Sequence, residues 1–476
     1  MTDMACGKRV MKMRPKMTAH DLLTEPLISW RDTRRQRRSA TLPGVLAKLA
    51  AGELSDFPGA RAHQLEPWCM FLTQLAAIAL RRSGGSDVVL TETQWRSLLL
   101  DLTDGAPEPW CLVVEDLSKA AFFQPPVPEG SIEEWKGPAD HPDDIDVLAT
   151  AKAHDVKQSR ILASDIEAWA LAIVTLQTMQ GFYGAGKYGV ARMKGGWGSR
   201  SRVGAASDLT LAPRFARDVR VLLESWDTLR KRGFTQGAIS LTWTMPWDGS
   251  DSLQRAQLAP HFIEICRRVR LVALVEGIGC RYTTSKTRRC LASDDTGDVG
   301  DPWIPVERSD GAALTIGRLG FHYDLLTRVL FEGDFEPAAA QGILPDDRDP
   351  VLFLAYAMAR GKGKTEGLHS RALPLPATVR RRLGRPDARG ALGTRAAHNV
   401  QAAESIRRNV LFPALKQLAL GEKTVQDEFD LRVNEVFFDD LFGALDATEE
   451  QAQLEWGRPL YELAWAELQR AIHRCS

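Results

Sequence analysis

Residues 181–204 read GFYGAGKYGVARMKGGWGSRSRVG, and the class of protein turns on how that stretch is understood. Gly184, Gly186 and Gly189 form G-x-G-x-x-G, the pattern of a dinucleotide-binding turn. Such a turn must follow a strand and open a helix, so that the pyrophosphate meets the helix N-terminus. Here a helical pattern, SDIEAWALAIVTLQTMQ (164–180), leads in, and eight glycines in 24 residues prevent a stable helix afterwards. The cofactor reading fails on context. What remains is a glycine-rich loop with Lys187, Arg192, Lys194, Arg200 and Arg202, no acid, and Phe182, Tyr183, Tyr188 and Trp197 interleaved. Glycine lets main-chain N–H groups approach a ligand closely, cations attract phosphate, and aromatic rings offer stacking or wedging surfaces. A loop of this kind fits a DNA minor groove. It fits equally a solvated surface loop whose rings pack back on the core.

Two further motifs invite an enzyme reading. ARGKGKTEG (359–367) ends like a phosphate-cradling loop, but the first glycine of G-x-x-x-x-G-K-[ST] falls on Met358, and the lead-in DPVLFLAYAMAR (349–360) reads as a helix. His154–Asp155 is a pair of the type used by metal-dependent phosphohydrolases, which need further His and Asp ligands. None of the nine histidines stands at i, i+4 spacing. No Ser/His/Asp or Cys/His arrangement can be singled out, so no enzyme is expected. The seven cysteines are scattered without C-x-x-C, which predicts neither zinc nor a disulfide framework and fits a reducing cytoplasm. No apolar run is long enough to span a membrane. Lys plus Arg and Asp plus Glu are both 61, which argues against a globally basic nucleic-acid binder but leaves local patches open.

The pattern predicts an α+β fold: residues 1–20 a disordered extension, 21–375 a large mixed α/β N-terminal domain, and 376–476 a C-terminal antiparallel four-helix bundle. Helical spacing runs from Leu42 to Arg82, with Pro43 near a helix start. Residues 105–145 read as extended loop. Ser164 and Glu167 form a capping box ahead of the glycine loop. AISLTWTMPW (238–247) reads as strand, PHFIEICRRVRLVALVEG (260–277) as helix, and AALTIGRLGFHYDLLTRVLFE (312–332) as a strand running into a helix. Basic charge gathers in TAKAHDVKQSR (150–160), in RYTTSKTRRC (281–290) and between Arg360 and Arg395. Acid gathers in DEFDLRVNEVFFDDLFGALDATEEQ (427–451). Each charge run alone also fits a solvated face.

In order and spacing, DLLTEPLISW (21–30), the glycine loop, RYTTSKT (281–287) followed by GDPWIPV (300–306), and GKGKTEGLHSR (361–371) before a helical C-terminus resemble the CasA family, large subunit of the type I-E CRISPR surveillance complex, Cascade. The resemblance implies a non-catalytic subunit without cofactor or metal. It would recognise the protospacer-adjacent motif (PAM) of double-stranded target DNA from the minor groove and open the duplex for R-loop formation. It would also dock a helicase-nuclease, alongside the guide RNA (crRNA) and the other Cascade subunits. On matching positions, Gly181, Phe182 and Gly184 would line the groove, with Lys187 and Lys194 supplying charge. Lys286, with Arg288 beside it, would be the minor-groove lysine. Lys364 and Thr365 would form the duplex wedge, and Lys152, His154 and Lys157 would meet the guide-RNA handle. The alternatives are a helical scaffold that does not read DNA and a phosphohydrolase built on His154–Asp155.

Overall fold

The structure, a computed structural model, describes residues 20–475 apart from 136, 147–164, 195, 276, 292–295, 362, 363 and 419–421. The N-terminal extension, Ser164, the guide-RNA handle residues Lys152, His154 and Lys157, and the His154–Asp155 pair lie outside the described residues. The fold is α+β.

Two helices with apolar residues on nearly every side, Ala62–Ser83 and Ile166–Met179, lie against each other at the centre of the first core. A helix apolar all round has to be buried, and Trp68, Phe71, Leu75, Trp169 and Ile173 are. Helix Leu42–Ala50 starts as the sequence predicts: Thr41 Oγ1 accepts from Gly44 N at 3.0 Å, and Pro43 sits in the first turn, where its missing N–H costs nothing. The cap of Ile166–Met179 is Asp165 rather than Ser164, its carboxylate accepting from Glu167 N at 3.3 Å. The Glu167 side chain does not turn back to cap. It accepts from Ser29 N at 2.7 Å and Ser29 Oγ at 2.6 Å, fastening strand Ile28–Asp32 to the central helix, and burial pushes its carboxyl up.

Four stretches differ from their expected structure. In 238–247 only Ile239–Leu241 is strand, and a single 3-10 turn, Thr242–Thr244, follows it, where Thr242 Oγ1 accepts from Ile265 N at 2.9 Å. Residues 260–277 form strands, Leu258–Ile263 and Arg268–Ala273, instead of a helix. Between them Gln177 of the central helix accepts from Cys266 N and Arg267 N, each at 2.8 Å, which holds the chain out of helical geometry. Arg268–Ala273 then pairs with Ile278–Thr283, which pairs with Gly137–Ala139. In 312–332 the strand half is absent apart from one bridge, Val306 with Ala313, while the helical half forms at Tyr323–Thr327 and continues as a wider turn to Glu332.

The largest difference is DPVLFLAYAMAR. Val351–Gly361 is the middle strand of an antiparallel sheet, between Arg202–Ala206 and Lys364–Leu375. Almost every residue in it is buried, so the sequence lacks the alternation that marks a half-buried strand. A fully buried strand and a buried helix look alike by periodicity. Gly361 and Lys364 are therefore paired at the end of a long hairpin and not at a helix end. The nucleotide-cradling reading still fails, because a strand follows the motif where a helix is required.

The last strand ends at Leu375, and from Ala377 onward the described chain is helical: Ala377–Leu383, Pro386–Ser405 running through a wider turn into Phe412–Gln417, Glu422–Gly443 and Glu449–Cys475. Their apolar residues Phe429, Phe437, Trp456 and Leu460 share one buried cluster with Val203, Phe353 and Leu375 of the sheet. Tyr323 stacks on Phe437 with ring centres 4.8 Å apart.

Candidate nucleic-acid interface

The glycine stretch divides at Val190. In its first part the chain folds back against itself so closely that main chain meets main chain. A Cβ on Gly181 would lie 2.1 Å from Gly198 O, and one on Gly189 would lie 2.5 Å from the Gly181 carbonyl carbon. Phe182 N donates to Gly196 O at 3.0 Å and Val190 N to Gln180 O at 2.9 Å. Beyond this crossing the chain makes a tight turn: Tyr183 N donates to Lys187 O and Lys187 N to Gly184 O, each at 2.9 Å. Gly184 sits at φ +105 in open space, a conformation closed to ordinary side chains. Phe182, Tyr183, Tyr188 and Trp197 are half-buried and cluster, with Trp197 5.5 Å from Phe182 and 6.1 Å from Tyr183.

In the second part three of the five cations are internal. Arg192 pairs with Glu264 at 2.5 Å and Asp301 at 2.8 Å, Arg200 with the same Asp301 at 2.6 Å, and Arg202 with Asp218 at 2.9 Å. All three arginines are buried, and burial pushes the Arg200 guanidinium down to about 10 even beside Asp301. Asp301 and Trp303 belong to GDPWIPV: the Trp303 indole donates to Asp218 at 2.9 Å and lies under Arg200. The expected ribbon of five solvent-facing cations is thus corrected. A carboxylate from a distant part of the sequence meets each of Arg192, Arg200 and Arg202, because an unpaired buried charge is too costly to keep.

The remaining cations face outward in different settings. Lys187 is half-buried with its ammonium 5.4 Å above the Tyr183 ring, and Lys194 is exposed but paired with Asp310. Around Tyr183 three distant segments meet. Gly186 O accepts from Ser285 N at 3.0 Å, and a Cβ on Gly186 would lie 2.6 Å from Thr284, so the turn is pinned to the RYTTSKT loop. In that loop Lys286 is exposed, its N–H donating to Gly249 O at 2.7 Å, and Arg288 is half-buried next to it. From the hairpin, Arg360 places its guanidinium 5.3 Å from the Tyr183 ring. Arg360 is paired across the hairpin with Thr365, and Gly361 with Lys364. Lys364 is exposed at the tip, whereas Thr365 is half-buried, its hydroxyl without a partner among the described residues.

Phe182, Gly184, Lys187, Lys286, Lys364 and Thr365 therefore lie on segments that converge on Tyr183, Gly181 forms the buried base of the turn, and Lys194 stands apart beside Asp310. Sequence reasoning missed Gln180, Arg267, Arg268 and Tyr282, which line a cleft next to Tyr183. The two arginines fell inside the supposed helix 260–277. Only the β-branched residues Ile263, Ile265, Val269, Val272 and Val275 signalled strand there. Chemically the face offers cations, flat rings and open main chain. No group of three or more His, Cys, Asp or Glu among the described residues is arranged to hold a metal ion. Five described cysteines are free, and burial pushes the Cys266 thiol up to about 11.

No family model matches the chain, and no curated protein matches it in sequence. Solved structures do. The chain superposes on the CRISPR-associated protein Cse1 of Acidimicrobium ferrooxidans with a TM-score of 0.62 at 16% identity, covering 97% of this chain and 94% of that one. It superposes on CasA of Thermus thermophilus with a TM-score of 0.63 at 15% identity, covering 94% of each chain. A chain of a CRISPR RNA-guided surveillance complex gives a TM-score of 0.53 at 14% identity, over 95% of this chain and 99% of that one. The chain has the fold of the Cse1 (CasA) proteins along nearly its whole length.

Proposed function

We propose that this chain is the non-catalytic large subunit of an RNA-guided CRISPR surveillance complex of the Cascade type, acting in the cytoplasm. On this reading the mixed body, residues 21–375, meets double-stranded DNA beside its PAM, and the helical region from 376 onward offers surfaces to other Cascade subunits and a helicase-nuclease. The observation that carries the reading is the meeting of three basic loops around Tyr183, in a fold shared end to end with Cse1 proteins.

The chemistry suits that task. A minor groove presents a degenerate set of donors and acceptors, so a reader there tolerates several related motifs. A tight turn such as 183–187, with Gly184 open to solvent, brings main chain and two aromatic rings close to the groove without long side chains in the way. Lys187 and Lys286 neutralise phosphates on either side. Unstacking the first base step costs a few kcal/mol, which phosphate contacts must offset. The hairpin is the part suited to hold the strands apart: eleven paired positions from Val351 with Leu375 to Gly361 with Lys364 make a stiff ribbon carrying Lys364 at its end. A wedge on a strand pair resists bending better than one on a frayed helix end.

The test is R-loop formation on linear duplex DNA by the complex reconstituted with crRNA. Lys364→Ala with Thr365→Ala should reduce it about tenfold or more while leaving complex assembly intact, since opening a base step is worth a few kcal/mol. Unchanged R-loop formation would sink the wedge assignment. Filter binding of duplex DNA at two salt concentrations separates this reading from a scaffold that does not touch DNA, which would bind weakly at both.

A further inference from the structure

We propose that the cleft beside Tyr183 is a binding site for a single unstacked nucleobase, a pocket into which one nucleotide is drawn out of its strand next to the point of duplex opening. The inference rests on the proposed function and adds a ligand to it.

The cleft holds about 110 Å³ and is open on one side to solvent. Its walls come from four segments: Asp144, Ile145 and Asp146, Gln180 at the end of the central helix, Tyr183 and Lys187 of the glycine turn, and Arg267, Arg268 and Tyr282 on or beside the two strands beneath. Three properties define what fits. Tyr183 and Tyr282 give it flat aromatic walls, which suit a planar ring. Arg267 donates to the carbonyls of Cys266 and Gly181, at 3.1 and 3.2 Å, and Lys187 lies over Tyr183, so these two cations can meet a phosphate, whereas Arg268 is paired with Glu129, and Asp144 and Asp146 bring the opposite charge to the lining. Finally, Gln180 is 5% exposed, and its Oε1 has no hydrogen-bond partner among the described residues.

That last observation identifies the ligand class. Gln180 lines the cleft, and a buried amide oxygen without a donor calls for a partner. A nucleobase supplies one in a ring or exocyclic N–H, and its flat ring suits the two tyrosines of the lining. Sugars and peptides also carry donors, but they match two tyrosines beside Lys187 and Arg267 less well. Location points the same way. Tyr183 is the ring that the glycine turn and the hairpin end, through Arg360, have in common. A base freed where the hairpin parts the strands is thus next to the cleft. Enzymes that handle single bases stabilise the extruded base by stacking and by contacts to its hydrogen-bonding edge. Here the same contacts would lower the cost of keeping a step open.

The source is either the opened DNA or the guide RNA, and the probes separate them. Full-length protein is titrated with short DNA or RNA strands of abasic residues carrying one base at the centre, and with fully abasic controls. Wild-type protein should bind the base-carrying strand roughly tenfold more tightly than the abasic one, the scale of one base stacked on an aromatic side chain. The preferred sugar, deoxyribose or ribose, identifies the source. Gln180→Leu should bring that ratio to about one, while affinity for the abasic strand, which reports folding and phosphate contacts, stays as in wild type. Tyr183→Leu should also bring the ratio to about one, with abasic affinity falling as well because Lys187 and Arg360 lie over that ring. A wild-type ratio of one, with salt-dependent duplex binding intact, overturns the pocket and leaves the proposed function standing. Absence of any nucleic-acid binding overturns both.

Discussion

Residues 182–189 and 190–204 are one composition with two fates. Both are rich in glycine, free of acid and basic, with Lys187 in the first and Arg192, Lys194, Arg200 and Arg202 in the second, yet the first is a half-exposed turn carrying aromatic rings, and the second is drawn into the protein interior by Arg192, Arg200 and Arg202. The difference lies in neither segment. It lies in Glu66, Asp218, Glu264 and Asp301, up to 136 residues away, which pair with the three arginines, whereas no carboxylate among the described residues is ion-paired with Lys187. A basic stretch becomes a ligand-facing loop or a structural strap according to where the matching carboxylates fold, and a linear sequence does not say where that is. The strap in turn serves the turn: by fixing 190–204 to the sheet and to GDPWIPV, it holds the base of 182–189 in place.

The contrast breaks most visibly at Asp301. Its carboxylate is shared by two buried guanidinium groups, so Asp301→Asn keeps the shape and strands positive charge in the interior. Breaking a buried pair from one side costs about 3–5 kcal/mol. The protein should show a large fall in melting temperature, with DNA binding impaired only because the turn loses its footing. Unchanged melting would mean that the strap is dispensable and the comparison empty.

Gly181→Ala and Gly184→Ala come next and separate packing from exposure. The added methyl at 181 runs into Gly198 O at 2.1 Å, a backbone atom that cannot step aside, so several kcal/mol of stability should be lost. At Gly184 nothing is near, and the cost is that of a left-handed backbone, about 1–2 kcal/mol. Melting curves of the two variants should rank in that order. Duplex affinity, corrected for folding, should fall for Gly184→Ala, because the open tip is the part presented to DNA.

The same contrast marks what the sequence revealed. Context alone ruled out a dinucleotide turn, and the helices at Leu42–Ala50, Ala62–Ser83 and Ile166–Met179 follow from spacing and Pro43. So does the helical character beyond Ala377. These depend on neighbours a few residues away. Val351–Gly361 and Arg268–Ala273 were not legible as strands, because burial on both faces erases the alternation that identifies one. Nor was the cleft lined by Gln180 and Tyr282, which exists only once residues 102 positions apart are brought together. The candidate loops were visible in sequence as patches. Their convergence on Tyr183 was not.

The smallest effect is the sharpest test of whether exposure alone makes a cation functional. Lys187 and Lys194 look equivalent in sequence, but Lys187 lies over a ring at the convergence of the three loops, and Lys194 is already paired with Asp310 at the surface. Lys187→Glu should weaken duplex binding and reduce the slope of log affinity against log salt by about 0.9, the value of one phosphate contact. Lys194→Glu should change that slope little. Whatever affinity it loses should return when Asp310→Lys is added, since the swap restores the surface pair. Surface pairs of this kind contribute little to stability, so melting temperature should not distinguish the four proteins and any difference in binding belongs to the interface. Equal losses for the two lysines would mean that DNA reads net charge along the whole stretch, and that the division at Val190 governs folding without governing recognition.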